Sequence, residues 1–506
     1  MRSGIPGVLD PALRDRPDAT AVVARSARLS YAELDAQADR TAAALWELGL
    51  RPGGRVAASL PNDIDVVLAF HGAMRVGAIW VGIGEALAVP EKQHLIRDCA
   101  PALFLGPSQA IEDCAGALSD VGGRGATVEE LRAATAAAGA APAVDIDVHA
   151  PAGIAYTSGT TGVPKGIVHS QHNLLLPGAV LVESRGWGPA LRKGDCLPLT
   201  ILNLMVLTTL LTAQAQGCCV VMDRRDAEGI ADWIEREQVT HWNGVPAQLH
   251  DLVTVKQVDP ARLASLREVW SGGGDCPDAL RTRFAEVYGL PIRSTYGLTE
   301  APTVVSIDPV GGERRTGASG RVLPHLWVQT RGPDGVLLPK DAEGEICLSP
   351  RTESEWAGRW TPYLGVWRDG VVAEPPTVPV PTGDYGVVDS DGWLTVLDRI
   401  KVLIVRGGAN VYPAEVERVL MAQEGVRGVA VFGIPDERLG ERVAALVELN
   451  VDVEIDALAA ACRTQLADYK VPERWGVVDS LPRNAMGKVV RTGLVDLLES
   501  SGGSTS

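Results

Sequence analysis

The stretch that decides the fold is Tyr156-Thr-Ser-Gly-Thr-Thr-Gly-Val-Pro-Lys-Gly166, which follows the apolar run Gly153-Ile-Ala155. Glycines and small hydroxyl residues after a strand let backbone N–H groups approach phosphate oxygens, and Lys165 adds a positive charge. A flexible surface turn has a similar composition, so the segment alone leaves both interpretations open. The loop is not of the Walker type, because Lys165 is followed by Gly166 rather than by serine or threonine. The segment predicts a phosphate-binding loop.

Around this loop, helical and strand-like patterns alternate. Ser30 and Glu33 have the spacing of a capping box, so a helix is expected to follow. Then come strand-like Val56-Ala-Ala-Ser-Leu60, a helical segment from about Ile64 to Val76, and apolar Ala78-Ile-Trp-Val81. Such alternation predicts an α/β fold, with a large N-terminal region of parallel and mixed sheets covered by helices.

A domain boundary is predicted close to Arg399. The Pro-rich segment Pro375–Pro381 precedes it, and the remaining stretch of about a hundred residues is a usual size for a domain. Pro413 fits the first turn of a helix, where a missing N–H costs nothing. We therefore expect an N-terminal domain over residues 1–398 and a small α+β C-terminal domain over residues 399–506.

Composition restricts the class of protein and its partners. Hydrophobic residues make up 46% and charged residues 22%, as in ordinary globular proteins. Lys and Arg total 47 against 63 Asp and Glu, and the net charge of −16 argues against nucleic acid as a partner. The eight cysteines show no CxxC pair and no zinc-site spacing, and the start lacks the apolar core of a signal peptide. Both features favour a reducing cytoplasm. The sequence leaves the oligomeric state open, with a homodimer as one option.

One uncharged stretch, from Cys196 to Met222, is long enough to span a bilayer. Polar residues such as Asn203 and Gln214 interrupt it, and Gly217 divides it into a helix-length part and a β-branched part. We therefore expect a buried helix followed by a core strand, and no integral membrane span.

Six further segments carry residue types suited to nucleotide chemistry. Taken singly, each has an ordinary alternative: Tyr296 as a core aromatic, Asp384 as a turn former, Lys488 as a solvated charge. Their specificity comes from their order along the chain behind the phosphate loop. The segments are Ser271-Gly-Gly-Gly274, Ser294-Thr-Tyr-Gly-Leu-Thr-Glu300, Thr382-Gly-Asp384, Asp398-Arg-Ile-Lys401, Gly407-Gly-Ala-Asn-Val-Tyr-Pro-Ala-Glu-Val-Glu417 and Pro482-Arg-Asn-Ala-Met-Gly-Lys488.

In this order the segments resemble the motifs of the adenylate-forming (ANL) superfamily, which includes acyl-CoA synthetases, luciferases and the adenylation domains of peptide synthetases. The resemblance runs from roughly residue 20 to residue 495. It implies ATP and acyl sites in the N-terminal domain and a mobile C-terminal domain that carries a catalytic lysine. The implied activity is that of an AMP-forming carboxylate–CoA ligase, with ATP, a carboxylic acid and coenzyme A as substrates and Mg²⁺ as the metal.

The resemblance also assigns roles to single residues. Lys488, Glu300 and Thr299 would be catalytic, with Glu300 holding Mg²⁺, and Lys401 would be the hinge. The other implied roles are phosphate binding by Thr157, Ser158, Gly159, Thr160, Thr161, Gly162 and Lys165; adenosine binding by Gly272, Gly273, Gly274, Thr295, Tyr296, Gly297, Asp384 and Arg399; a thiol-facing loop at Gly407 and Gly408; and an acyl pocket at Ile201, Leu202 and Gly272.

Two places depart from the family pattern. Many acyl-CoA synthetases have an aromatic residue and a histidine after a Pro-Leu or Pro-Met pair, where this chain has Thr200 and Ile201. Val380-Pro381 likewise replaces the aromatic residue that often precedes Thr-Gly-Asp. The acyl pocket is therefore expected to differ from the common form. Its apolar residues, without an acidic partner for an ammonium group, favour a fatty, alicyclic or aryl acid.

Other functions compete with this interpretation. The nearest is a freestanding adenylating enzyme that loads the phosphopantetheine thiol of a carrier protein. A non-catalytic nucleotide-binding module is a rival from another class, and the charged residues kept in the motifs oppose it. A P-loop kinase is a weaker alternative, because the sequence has no GK[ST] element.

Overall fold

The structure is a computed structural model that describes residues 2–157, 164–271, 276–311, 314–406, 409–436, 438–450, 453–483, 488–501 and 504–505. The bounds of its α-helices are α1 Asp10–Asp15, α2 Tyr31–Glu47, α3 Ile64–Val76, α4 Val89–Cys99, α5 Ser108–Asp113, α6 Ala115–Asp120, α7 Val128–Ala137, α8 Gln171–Arg185, α9 Leu202–Met205, α10 Leu211–Gln214, α11 Ala227–Glu237, α12 Pro246–His250, α13 Asp278–Tyr288, α14 Pro413–Met421, α15 Ile455–Gln465 and α16 Leu494–Ser500.

The strands fall into two runs, before and after residue 300. The first run is β1 Thr20–Val23, β2 Arg28–Ser30, β3 Arg55–Ala58, β4 Ile79–Gly82, β5 Leu103–Leu105, β6 Arg124–Ala126, β7 Pro151–Thr157, β8 Lys165–Ser170, β9 Arg192–Asp195, β10 Cys218–Val221, β11 His241–Gly244, β12 Glu268–Ser271 and β13 Ile292–Leu298. The second run is β14 Thr303–Ile307, β15 Arg321–Val322, β16 Leu326–Arg331, β17 Gly344–Pro350, β18 Gly365–Arg368, β19 Val371–Ala373, β20 Val380–Val388, β21 Leu394–Arg399, β22 Ile404–Arg406, β23 Ala409–Val411, β24 Val426–Asp436, β25 Gly440–Leu449, β26 Arg474–Val478 and β27 Ser504–Thr505.

Two large sheets form the N-terminal domain. One has the order β15-β14-β13-β12-β11-β9-β10-β1-β2, and its strands from β13 to β1 run parallel. The other has the order β19-β18-β8-β7-β4-β3-β5-β6, and its strands from β7 to β6 run parallel. Antiparallel strands close the remaining edges, and β16, β17, β20 and β21 form a separate antiparallel sheet. The expected α/β class with parallel and mixed sheets is confirmed.

The helix α3 is the central element between the two large sheets. All of its residues from Ile64 to Val76 are buried. One hydrophobic cluster joins Val66 and Phe70 of this helix to Trp80 of β4 and Val22 of β1. Most residues of this helix are apolar, as expected for a helix in a core, and its charged residues Asp65 and Arg75 are paired with Arg132 and Asp35. Its packing holds the two sheets together, with their carboxyl ends available for a ligand.

Several local expectations are confirmed. The Ser30 side chain accepts from the N–H of Glu33, the Glu33 side chain accepts from the N–H of Ser30, and α2 follows. Within the uncharged stretch 196–222, the chain from Leu202 to Gln214 forms consecutive, mostly buried helical turns, α9 to α10, and Cys218–Val221 forms the core strand β10. No helix among the described residues is both long enough and apolar enough to cross a bilayer.

The C-terminal part of the chain has a sheet and hydrophobic clusters of its own. Its sheet has the order β23-β22-β25-β26-β27, with β24 also paired to β25. One cluster packs α14 and α15 against this sheet, including Val416, Leu458 and Trp475, and a second packs Leu494 and Leu498 of α16 on the other side. This is the small C-terminal domain that the sequence predicted.

Candidate active site

A hydrogen-bonded group lies where β13 meets β20 and β21. The hydroxyl of Tyr296 donates to one carboxylate oxygen of Asp384 at 2.6 Å, and the guanidinium of Arg399 lies 3.1 Å from the other oxygen. Asp384 is 4% exposed, whereas the Arg399 side chain is about half exposed. Burial, and then the charge of Asp384, raise the pKa of Tyr296, so this phenol remains a neutral donor.

The local fold of β20 fixes Asp384. The Thr382 hydroxyl accepts from the N–H of Asp384 at 3.1 Å and donates to the carbonyl of Ile346 at 2.9 Å. Gly383 has a φ of +74°, a conformation that glycine adopts without steric cost. This explains why the motif Thr-Gly-Asp is suited to presenting a carboxylate from the middle of a strand.

Lys488 of the C-terminal domain lies close to this group. Burial of its ammonium, and then the positive charge of Arg399, lower the pKa of Lys488, while the charges of Asp384 and Asp398 oppose that shift. The residue as a whole keeps accessible surface. Three residues that the sequence predicted for ribose and catalysis, Asp384, Arg399 and Lys488, are therefore neighbours although two domains supply them.

The predicted phosphate loop connects two antiparallel strands. Thr157 ends β7, Lys165 begins β8, and the two residues are paired across the hairpin, with the Thr157 hydroxyl 3.4 Å from the carbonyl of Lys165. Tyr156, just before the loop, donates its hydroxyl hydrogen to Asp98 of α4. This bond anchors the end of β7, so the loop starts from a fixed point.

The segment that replaces the family's aromatic–histidine pair packs tightly on two strands. The indole N–H of Trp80 donates to the carbonyl of Thr200 at 3.2 Å. A Cβ on Gly82 would lie 1.8 Å from the carbonyl oxygen of Thr200, and a Cβ on Gly153 would lie 2.6 Å from the Leu202 side chain. Glycine is required at position 82, where the neighbour is backbone, whereas at position 153 the end of the Leu202 side chain would have to shift.

The structure adds a residue that the sequence reasoning missed as a site residue. The side-chain amide of Asn203 lies 3.5 Å from the hydroxyl of Thr299, and Asn203 is exposed within an otherwise apolar segment. Its signal in the sequence was a polar residue that interrupts the uncharged stretch. Thr299 and Glu300 form the turn between β13 and β14, and the charge of Glu300 acts on the partly buried Tyr363 nearby.

Contacts therefore connect most of the predicted segments in one region. Strand β7 contacts Leu202 through Gly153, Asn203 reaches Thr299, and Tyr296 in the same motif reaches Asp384. Thr295 and Gly297 lie on β13 beside Tyr296, and Ile201 is partly buried next to Leu202. The predicted residues Ser158, Gly159, Thr160, Thr161, Gly162, Gly272, Gly273, Gly274, Gly407 and Gly408 lie outside the described residues, as does the side chain of Lys401.

The AMP-binding enzyme family matches residues 9–352, and the AMP-binding enzyme C-terminal domain matches residues 415–488. The chain is 32% identical over 484 residues to a long-chain-fatty-acid–CoA ligase of Mycobacterium tuberculosis, covering 92% of each protein. It is 33% identical over 490 residues to a feruloyl-CoA synthase of Amycolatopsis sp, covering 94% of this chain and 96% of that protein. It is also 31% identical over 497 residues to a fatty acid–[acyl-carrier-protein] ligase of Streptomyces coeruleorubidus, covering 95% and 93%.

Solved structures are similar to this chain over nearly its whole length. ATP-bound MatB from Rhodopseudomonas palustris superimposes with a TM-score of 0.89 at 28% identity, covering 98% of this chain and 99% of that chain. Apo MatB from the same organism superimposes with a TM-score of 0.78 at 27% identity, covering 99% of both. The chain as a whole thus superimposes better on the ATP-bound form of that protein.

Proposed function

The chain belongs to the AMP-binding enzyme family, and on this basis we propose that it joins an apolar carboxylic acid to the α-phosphate of ATP and then transfers the acyl group to coenzyme A. It is an AMP-forming acyl-CoA synthetase. The observation that carries the proposal is the meeting of Tyr296 and Asp384 with Arg399 and Lys488, which lie beyond the predicted domain boundary.

The first step brings an anion to an anion, because a carboxylate must attack the α-phosphate of ATP. The site therefore has to offset charge that accumulates in the transition state. In our proposal the ribose hydroxyls bind to Asp384, the adenine lies against Tyr296, and the ammonium of Lys488 offsets the charge at the α-phosphate. Lys165 and Thr157 contact the other phosphates at the mouth of their hairpin. No protein nucleophile is needed.

Glu300 fits the family's Mg²⁺ by its chemistry. Mg²⁺ bound with a nucleotide commonly takes one or two carboxylates, together with phosphate oxygens and water. Glu300 offers a partly exposed carboxylate beside Thr299, in the turn after Tyr296. Such a donor set needs no cluster of protein ligands, and the described residues hold no group of three or more His, Cys, Asp or Glu side chains able to bind a metal. When bound, Mg²⁺ shields the charge of the departing pyrophosphate.

The second step requires a thiol to reach the carbonyl where Lys488 stands in the first. We propose a boundary between residues 398 and 399 and rotation of the C-terminal domain about Lys401, with Gly407 and Gly408 facing the thiol afterwards. The support is that β21 ends at Arg399 and that the clusters beyond Ile404 belong to the C-terminal domain alone.

The acyl group is proposed to lie along Ile201, Leu202 and the glycine wall after Ser271. Ile201 and Leu202 are apolar and packed against β4 and β7. Relatives that act on fatty and aryl acids agree with an apolar acid. Asn203 follows this segment with an exposed side-chain amide, so we propose that an acid carrying one hydrogen-bonding group is also accepted.

A carrier-protein thiol remains the second candidate, because one similar relative is named a fatty acid–[acyl-carrier-protein] ligase. Incubation with ATP, an acid and free coenzyme A distinguishes the two. Rapid formation of acyl-CoA supports the synthetase, whereas accumulation of acyl-adenylate without acyl-CoA supports carrier loading.

The test of the proposed function is a pyrophosphate-release screen across fatty, alicyclic and aryl acids, with Lys488→Ala as the control. We expect at least one acid to release pyrophosphate and form AMP, and we expect the variant to lose about 100-fold or more in rate. Equal rates for the two proteins, or no AMP with any acid, would refute the proposal.

We also propose a cellular location for the protein and a test of its oligomeric state. We place the chain in a reducing cytoplasm because its eight cysteines are buried free thiols. A homodimer is testable by sedimentation, since a mass that stays at 53.4 kDa over a wide range of concentrations would exclude it.

A further inference from the structure

Asp398 contacts both domains. It is the residue before Arg399 at the end of β21, and one of its carboxylate oxygens accepts from the N–H of Arg399 at 2.7 Å. The other oxygen accepts from the N–H of Ala414 at 2.9 Å. Ala414 lies in the first turn of α14 in the C-terminal domain, so this carboxylate bridges the proposed hinge region.

The helix α14 receives an acceptor for one of its first N–H groups from outside the helix. The residue before it, Tyr412, makes no capping hydrogen bond to the helix with its side chain, and Pro413 has no N–H. The first N–H groups of a helix have no partner within it, and the positive end of the helix favours a negative charge. Asp398 supplies both the acceptor and the charge from the neighbouring domain.

Charged side chains and a pair of stacked aromatic rings also join the two domains beside Asp398. Lys488 and Arg491 on the C-terminal side lie near enough for their charges to act together with that of Asp398. The rings of Tyr385 on β20 and Tyr412 before α14 are stacked, with centroids 5.6 Å apart and an interplanar angle of 21°. Two contacts thus join the domains beside the residues proposed for ribose and catalysis.

We propose that Asp398 is a positioning residue that holds the C-terminal domain in the arrangement that forms the adenylate. The inference rests on the proposed function, since it assumes two half-reactions with different domain arrangements. A contact present in only one arrangement stabilises that arrangement alone. Removing it therefore slows adenylation, by displacing Lys488 from the site, and does not slow thioester formation.

The first experiment compares the two half-reactions. Asp398→Ala is measured by ATP–pyrophosphate exchange and by acyl-CoA formation from acyl-adenylate prepared beforehand. We expect exchange to fall about tenfold, from the loss of a hydrogen bond to a charged acceptor, and transfer to stay within about twofold or to rise. Asp398→Asn keeps an oxygen for the Ala414 N–H and should recover part of the exchange rate. Equal loss in both half-reactions, or loss in neither, would overturn the proposal.

Asp391→Ala is the matched control. Asp391 is an exposed carboxylate in the turn between β20 and β21, and it pairs with Arg315 of the same domain. This variant removes the same charge without touching the C-terminal domain, so both half-reactions should stay within about twofold of wild type. If Asp398→Ala does not fold, Tyr385→Leu removes the ring stack instead, and the same selective loss of exchange is expected.

A second measurement does not depend on turnover. Spin labels on Arg283→Cys in α13 and Gln465→Cys in α15 report the distance between the domains, because both positions are exposed and the native cysteines are buried. We expect Asp398→Ala to broaden or shift this distance distribution. An unchanged distribution would refute the positioning role of Asp398 even if an active acid is never found. Failure of the proposed function, in contrast, would show only as the absence of AMP.

Discussion

The pair Tyr296 and Asp384 carries a prediction at the scale of single residues. Tyr296→Phe removes a 2.6 Å hydrogen bond to a buried carboxylate while keeping the ring. Hydrogen bonds to charged groups contribute about 1.5–3 kcal/mol, so we expect KM for ATP to rise about tenfold or more with a smaller change in kcat. Steady-state kinetics with varied ATP measure this.

Tyr288→Phe is its matched control. The Tyr288 hydroxyl donates to the carbonyls of Leu252 and Val258, away from the proposed nucleotide site. The control should lower thermal stability and leave KM for ATP unchanged. A rise in KM in both variants would show that the effect of Tyr296→Phe is general destabilisation.

A second prediction for a single residue concerns His169 and the loss of folding stability at acidic pH. Its ring is buried in β8 and neither ring nitrogen has a hydrogen-bond partner within the described residues. Burial lowers the pKa of His169 from 6.5 to about 4. Between these values the unfolded chain binds a proton that the folded chain does not, so stability falls as the pH falls through this range and is unaffected above it.

His169→Phe should therefore reduce the slope of stability against pH. Below pH 6 we expect the wild type to lose about 1 kcal/mol more per pH unit than the variant, because His71, His241 and His325 also have lowered pKa values and add to the slope of both proteins. Urea unfolding at pH 7, 6 and 5 gives the slopes. His149→Phe, at an exposed position, is the control and should keep the wild-type slope. Identical slopes for all three proteins would contradict the assignment.

At the scale of elements, a prediction concerns the contact between β4 and the segment 200–202, which we propose shapes the acyl site. A Cβ on Gly82 would lie 1.8 Å from a backbone oxygen of Thr200, which cannot move as a flexible side chain would. We expect Gly82→Ala to displace this segment and to raise KM for the acid at least about tenfold, while KM for ATP changes little. Gly84→Ala is the matched control, because its Cβ would meet only the Leu87 side chain at 3.6 Å. Similar effects of both variants would argue against a shaped acyl site.

Elements set by nearby residues could be predicted from the sequence. The capping box of Ser30 and Glu33 spans one helical turn, and the hydrophobic pattern of 64–76 is that of a buried helix. The order of strands could not be predicted, because pairs such as β1 with β10 are set by packing between distant segments.

The candidate site could likewise be predicted from the sequence only in part. Asp384, Arg399 and Lys488 carry motif signals, and the structure places them close together. The contact of Asn203 with Thr299 joins residues 96 positions apart, and that of Asp398 with Ala414 crosses the proposed hinge. Neither contact leaves a local pattern in the sequence, since each depends on how two segments pack.

At the scale of the whole molecule, the proposed rotation predicts a selective effect of Lys401→Pro. Proline fixes φ and restricts the residue before it, so the backbone near Lys401 could no longer adopt two conformations. We expect thioester formation to fall at least about tenfold more than ATP–pyrophosphate exchange. Lys401→Ala keeps a flexible backbone and should affect the two half-reactions equally. Equal loss in Lys401→Pro would place the hinge elsewhere.

The burial of α3 between the two large sheets also has a consequence for native-state hydrogen exchange. Every residue of this helix is buried, so we expect its amide hydrogens to exchange with deuterated solvent only after the sheets separate. The C-terminal domain has hydrophobic clusters of its own, so it can unfold locally without separating the two large sheets. Deuterium uptake in residues 64–76 should therefore follow global unfolding of the N-terminal domain, and uptake in α15 should be faster.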